Sequence, residues 1–401
     1  MDGRPSRMSE PLHQLSPAAI ECDRRLAELD GQVDWLAYVT PVNYDALRDG
    51  FVASGYRELP PLEYAPVPPR SLALRESLLE LPIRQVEEPD IQALLNEKQR
   101  EIDKQLELIR LRGTSGFPLA GIDMFGRVDD RLLDIAETIV DSVSVGEHLE
   151  RDVDAEEFAA TARQTMADYR AARRDLEHRV FIHDRRGTHI YTSSGDLYVA
   201  PDYRVNRARV RPLIEHEIGT HTLTHYNGRQ QPLSIMSRGL AGYDGLQEGL
   251  AVLAEYLAGY LPPGRLRQLA ARVIAADGAV REASDRDLFD RLHVECGLDR
   301  EDALETLVRA RRGGGVTKDA LYLEGLVDVL DYLRGGGLFE SLFVGKFAFK
   351  HLETLTRLVE RRFLRPPALL PLYLDEPVVR SRLDIARHRT VIELCQGSPA
   401  S

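Results

Sequence analysis

Two histidines five residues apart, His216 and His221, with Glu217 directly after the first, constrain this chain more than anything else in it. Zinc favours neutral imidazole nitrogens and a carboxylate, and a catalytic zinc site keeps one position open for water. The usual arrangement places two histidines four residues apart on a helix, with a glutamate beside the first acting as base. Here the gap is five. At about 100° per residue, that step carries the second imidazole roughly 140° around a regular helix, against roughly 40° for a step of four. A regular helix therefore cannot aim both rings at one ion. An extra residue has to be absorbed, most simply as a π-bulge, a distortion frequent at functional sites. Gly219, between the histidines, is the residue best able to yield.

A third ligand is expected from a following helix that begins in Asp244-Gly245-Leu246-Gln247-Glu248-Gly249-Leu250-Ala251. Glu248 would project into the site, and the small residues Gly249 and Ala251 would let this helix pack closely on the first. Asp244 is a candidate N-cap, and Glu255 a candidate partner for a ligand imidazole. Asn227-Gly228 would end the first helix, with Gly228 as a left-handed cap. Each signal has a plainer alternative. A His-Glu pair with a second histidine nearby arises by chance in chains of this length, and Glu248 alone reads as a solvated helix carboxylate. His225 reads as helix surface, with a further ligand as the alternative. His183 and His189 read as strand residues facing solvent or substrate.

The rest of the chain is mostly helical in pattern. Residues 1–16 read as a flexible leader without the apolar region of a secretory signal, and residues 17–36 as a helix ended by Thr40-Pro41. Residues 59–70 contain five prolines and read as an extended connector. Helical spacing then runs over 91–111, 130–140 and 156–177. At Arg179 the texture changes to β-branched and aromatic residues, split by Arg186-Gly187 and Ser194-Gly195-Asp196. That pattern predicts a short strand meander over 180–199. Helical periodicity returns near Val210 and includes an amphipathic stretch over 346–363. The expected fold is α+β and predominantly α-helical, divided into an N-terminal helical region (17–178), a catalytic region (179–310), a C-terminal helical region (311–395) and a frayed tail (396–401).

Charge and cysteines narrow the class of function. A formal net charge of −12 argues against holding a nucleic acid by phosphate neutralisation. The local run Arg207-Ala208-Arg209-Val210-Arg211 reads as a solvated helix start, with steering of an anionic substrate as the alternative. No stretch approaches the roughly 18 apolar residues of a membrane span. The three cysteines, Cys22, Cys296 and Cys395, are odd in number, far apart and without metal spacing. That pattern suits reduced thiols and a cytoplasmic location. Nothing in the pattern sets an oligomeric state.

At His216-Glu217-Ile218-Gly219-Thr220-His221 and Gln247-Glu248-Gly249-Leu250-Ala251 the sequence resembles the QEGLA-motif proteins, known in bacteria as flavohemoglobin expression-modulating proteins. It likewise resembles their eukaryotic relatives, the microtubule-associated tyrosine carboxypeptidases. Weaker likenesses flank these motifs at Arg112-Gly113-Thr114, at residues 318–326 and at residues 342–346, so that the resemblance spans roughly residues 30–375. It implies a zincin-like zinc metallopeptidase whose ligands map to His216, His221 and Glu248 with Glu217 catalytic. It further implies carboxypeptidase action on a peptide or protein C-terminus. Under that reading Tyr243, Tyr322 and His225 are candidate oxyanion donors. Lys318, Lys346, Arg238 and Arg204 are candidate cations for the terminal carboxylate, and the strand segment could hold an extended peptide by edge pairing. The competing reading is a non-catalytic regulatory or binding protein that keeps a structural metal site.

Overall fold

The computed structural model describes residues 12–67, 69–146, 150–183, 190–259 and 261–395. The expected leader through residue 11, His189 and the expected tail from residue 396 lie outside the described residues.

Helix α1 (Pro17–Asp30) starts where Ser16 accepts a hydrogen bond from Ala19 N. It is shorter than the periodicity suggests. The chain breaks at Gly31 and restarts as a separate short helix, Trp35–Val39, capped by Asp34. The proline-rich segment runs without regular structure to residue 67, after which Pro69–Leu79 is helical. Helix α2 (Pro89–Leu111) buries Ile91, Leu94, Leu95, Ile102, Leu106 and Ile109 along one face, the stripe that helical spacing demands. Helices Asp130–Ser142 and Ala155–Ala172 follow.

Strands are few. β1 (Val153–Asp154) and β5 (Arg204–Val205) form a two-stranded antiparallel ribbon that sequence patterning does not anticipate. β2 (Val180–Ile182), β3 (Ile190–Ser193) and β4 (Asp196–Val199) form a second sheet in the order β2-β4-β3. This is not a meander. β3 and β4 pair antiparallel as a hairpin, but β2 runs parallel to β4, so the last strand lies between the other two. The hairpin turn holds Ser194 at φ 50 and Gly195 at φ 84, the positive values that a tight two-residue hairpin turn requires.

Helix α3 (Arg207–His216), capped by Asn206, leads into a π-helical turn over Glu217–Thr222 and on into α4 (Leu223–Arg229). Helices α5 (Asp244–Leu257), α6 (Pro263–Val280) and α7 (Leu321–Arg334) build the other side of the site. The expected amphipathic helix over 346–363 is a short 3-10 turn, Phe349–His351, followed by the helix Leu352–Glu360. Buried apolar residues from all parts of the chain join one hydrophobic cluster. Among the described residues no helix is long and apolar enough to cross a membrane. Cys22 and Cys296 are buried free thiols, and Cys395 is a half-buried one.

The glycines of α5 serve α7, not the first metal helix. A Cβ on Gly249 would lie 2.0 Å from the carbonyl carbon of Gly325, and a Cβ on Gly325 would lie 1.8 Å from Gly245 O. Backbone thus rests on backbone where α5 crosses α7. Gly228 is also not a left-handed cap. It sits inside α4, where a Cβ would meet Met236 O at 2.3 Å.

Candidate metal centre

The π turn absorbs the extra residue between the two histidines, and their rings end 5.1 Å apart between centroids. His216 Nε2 and His221 Nε2 each lie 3.8 Å from Glu248 Oε2. One donor atom from each of the three residues falls within 4.8 Å of the others, the only such cluster of His, Cys, Asp or Glu among the described residues. Tetrahedral zinc with bonds of about 2.0–2.2 Å needs its ligand atoms about 3.4 Å apart. Two imidazole nitrogens and a carboxylate oxygen are donors that such an ion accepts, and the 3.8 Å separations are about 0.4 Å wider than it needs, so these three residues could hold it once drawn inward.

Gly219 earns its place through contact. Its backbone stays in the right-handed region, but a Cβ there would lie 2.4 Å from Glu215 Oε2 and 3.0 Å from the Tyr373 ring. Glu215 is packed beneath the π turn, and burial pushes its carboxyl up to about 7.

Glu217 faces the same pocket, its Oε1 3.9 Å from His216 Nε2. Thr192, on the inward face of β3, donates to Glu217 Oε2 at 2.7 Å. The hairpin that carries Thr192 is docked in turn by Thr222, which donates to Gly195 O at 2.8 Å. Burial raises the pKa of Glu217, with the His216 charge and the Thr192 hydrogen bond opposing that rise. Sequence reading missed Thr192, which alternation alone does not separate from its neighbours.

Behind His216, Nδ1 lies 2.9 Å from Glu255 Oε1, as expected of an imidazole partner. Glu255 is fully buried and held by Arg209 and by Arg265, the latter at 3.2 Å. Burial works against its charge, but the two guanidiniums outweigh burial and hold its pKa well below the carboxylate range. Burial also depresses His216, yet Glu255 dominates and its pKa is raised. Among the described residues no carboxylate pairs with His221 Nδ1, and burial, with the charges of His216 and Lys346, sends the His221 pKa well below the ordinary value.

Several expectations need correction. Asp244 does not cap α5; it is the first helical residue and pairs with Lys318 at 2.8 Å. His225 is not on a solvated surface. It is half-buried against His178, with ring centroids 4.9 Å apart, and burial pushes its pKa down to about 2. Of the four candidate cations, Lys318 is committed to Asp244, and Arg238 to Asp30 at 2.6 Å. Arg204 is exposed on the β1–β5 ribbon. Lys346 differs from these. It is 9% exposed, its ammonium is 5.8 Å from the centre of the Tyr243 ring, and it has no ion pair among the described residues. Burial pushes its pKa down to about 8 against the charges of Asp244, Glu248 and Glu217. Tyr243 and Tyr322 both feel the Glu248 charge. Sequence alone does not separate Lys346 from the other three, because its freedom depends on where their partners fold.

Two solved structures resemble the chain weakly. One is described as a lipoprotein of unknown function from Shewanella oneidensis, at 13% identity and TM-score 0.40, covering 72% of each chain. The other is described as a lipoprotein from Colwellia psychrerythraea, at 13% identity and TM-score 0.40, covering 78% of this chain and 66% of that one. Neither likeness carries an argument. No curated protein matches. The family model described as microtubule-associated tyrosine carboxypeptidase matches residues 49–390, which include every residue of the site described above. The chain belongs to the microtubule-associated tyrosine carboxypeptidase family.

Proposed function

We propose that this protein is a zinc-dependent carboxypeptidase with a zincin-like centre, acting on a peptide or protein C-terminus from a cytoplasmic location. His216 Nε2, His221 Nε2 and Glu248 Oε2 would hold the ion. The observation that carries the reading is the convergence of these three donors within 4.8 Å beside a carboxylate already held by its own hydrogen-bond donor. Bound there, zinc supplies Lewis acidity towards water and a scissile carbonyl. Glu217 Oε1 takes the proton from the attacking water and returns it to the leaving amine. The Thr192 hydroxyl occupies Oε2, so a single oxygen is left for that transfer. Lys346 is the cation available for the terminal carboxylate, and the Tyr243 and Tyr322 hydroxyls are the donors available for the oxyanion.

The same observation argues against a regulator with a purely structural metal site. Such a site needs no base beside its first ligand, still less a threonine to orient it. The test is metal analysis of the purified protein, followed by mass spectrometry of peptides with free and amidated C-termini, with a C-terminal tyrosine first because of the family's name. Loss of one C-terminal residue from the free peptides alone is expected. Glu217→Gln should keep zinc and lose at least about 100-fold in rate, while His216→Ala should lose both. A fully active Glu217→Gln protein would overturn the assignment of the base.

A further inference from the structure

Of the arginines on α6, Arg265 and Arg272 stand two turns apart on one face, about 10 Å from each other along the axis. Arg265 has its acceptors: Nη2 lies 3.2 Å from Glu255 Oε1 and Nη1 lies 2.8 Å from Gln268 Oε1. Arg272 is directed elsewhere, its guanidinium carbon 4.8 Å from the centre of the Tyr322 ring. Tyr322 is in the first turn of α7, three residues before Gly325, and Gly325 rests on the Gly245 and Gly249 backbone to either side of Glu248 in α5. Burial and the Glu248 charge both raise the Tyr322 pKa, as befits a near neighbour of that carboxylate. Arg272 thus stands over a ring that borders the metal centre.

Three further cations crowd this region, and each has its acid. Lys318 pairs with Asp244 at 2.8 Å, Arg309 with Asp319 at 2.5 Å and Arg312 with the same Asp319 at 3.2 Å, while Glu305 lies 3.8 Å from Arg309. Among the described residues Arg272 has neither an ion pair nor a hydrogen bond, and its Nε is buried with nothing to donate to. A guanidinium cannot shed its proton to escape that position. Burial and the Arg309 charge pull its pKa below the ordinary value, and Asp319 offsets them only in part. The Tyr322 ring attracts the cation through its π face, but it cannot accept a forked pair of hydrogen bonds. Arg272 is half-buried and not sealed, so a ligand can bring the missing acceptor. The chemistry that fits a planar fork is a carboxylate, met by two parallel N–H bonds.

We propose that Arg272 receives a side-chain carboxylate of the bound peptide, that of an aspartate or glutamate close to the scissile bond, and so selects acidic peptides. The inference rests on the carboxypeptidase reading of the metal centre and names its substrate class. In that reading Lys346 takes the terminal carboxylate, which leaves Arg272 for a second acid.

The test compares kcat/KM for peptide pairs that differ only by glutamate or glutamine, placed in turn at each position near the C-terminus, in the parent and in Arg272→Met. The parent is expected to favour glutamate about tenfold or more at one position, and Arg272→Met to bring that ratio close to one. Arg272→Lys keeps the charge without the fork, so its ratio should fall between the two, and it is the variant to read should methionine prevent folding. No preference in the parent, or a preference that the substitution leaves intact, overturns the inference. So does a variant that instead abolishes the effect of amidating the C-terminus, because Arg272 would then hold the terminal carboxylate. If no peptide is hydrolysed at all, the carboxypeptidase reading falls, and the same pairs titrated as ligands in a calorimeter decide on Arg272. A glutamate preference lost in Arg272→Met is expected there, and equal affinity within every pair overturns the proposal.

Discussion

Thr192 shows how much of this site depends on one hydroxyl. Glu217 has two oxygens, and the threonine occupies one of them at 2.7 Å. Replacing it with the isosteric valine removes the donor without opening a cavity. Thr192→Val should therefore lower kcat by about tenfold, a fraction of what a general base contributes, with zinc content unchanged. Thr192→Ser should restore it, and a valine variant with undiminished kcat would show that Glu217 needs no anchor. Lys346 makes a separate prediction. It faces Asp244, Glu248, Glu217 and Arg238, and burial brings its pKa down to about 8, so it carries charge below that pH and loses it above. KM for peptides with a free C-terminus should rise between pH 7 and 9, and this rise should vanish in Lys346→Met, whose KM is already high at pH 7. Measured KM values that are pH-independent in the unsubstituted protein would remove Lys346 from that role. At this scale the sequence was most legible where chemistry and spacing coincide, as at His216, His221, Glu248 and Glu255. It was least legible where a residue matters through an unpredictable neighbour. Thr192 is one of several polar residues in a strand, and Gly219 is needed for the bulk of Glu215, not for backbone freedom.

At the scale of elements, the five-residue gap was enough to foresee a π turn, because the helical period is a local property. Strand order was not foreseen. Of the three strands only β4 alternates, burying Leu197 and Val199, and any pairing that keeps these two inward satisfies that pattern, so nothing local tells β2 to pair with β4. The small residues of α5 were visible, but not the partner that needs them. That partner makes a test with a control. On helix propensity alone, glycine to alanine within α5 should stabilise by about 1 kcal/mol. At Gly245 a Cβ finds nothing nearer than 4.0 Å, so propensity wins and Gly245→Ala should melt at or above the parent temperature. At Gly249 a Cβ would sit 2.0 Å from the carbonyl carbon of Gly325, and no side chain can yield to relieve it. Overpacking of that kind costs about 1–3 kcal/mol or more and exceeds the propensity gain. Gly249→Ala should melt lower and bind zinc more weakly, since Glu248 is the adjacent residue. Equal melting of the two variants would mean that α5 and α7 are free to part.

Taken whole, the molecule holds its site from a distance. The site spans β3, the π turn, α5 and Lys346, and α1 and α2 reach it through a buried set of charges. Lys98 on α2 pairs with Asp30 at 2.8 Å and with Glu101 at 2.7 Å. Asp30, at the end of α1, also pairs with Arg238 at 2.6 Å, and Glu101 accepts from Gly242 N at 2.6 Å. The segment 238–242 leads directly into α5, so the network ties the N-terminal helices to the element that carries Glu248. Sequence reading divided the chain near residue 179 and offered Arg238 as a substrate cation. It had no means of seeing that charges some 140 and 210 positions away in the chain claim Gly242 and Arg238. Burial opposes the charge on Asp30, yet Lys98 and Arg238 outweigh it and hold its pKa below the usual value. A depressed carboxylate pKa stabilises the fold fully above the unfolded value of about 3.9 and loses that contribution as pH falls through the folded value. Asp30→Asn should therefore cost about 3 kcal/mol at pH 7, where it leaves Arg238 and part of Lys98 unpaired. The gap from the parent should narrow in chemical unfolding as the pH drops below about 4, where Asp30 of the unfolded parent takes up a proton and the folded one, with its lowered pKa, still resists it. If the deficit of the variant is the same at pH 7 and pH 3, the stabilisation does not come from the charge on Asp30, and the N-terminal helices hold the site by apolar packing instead.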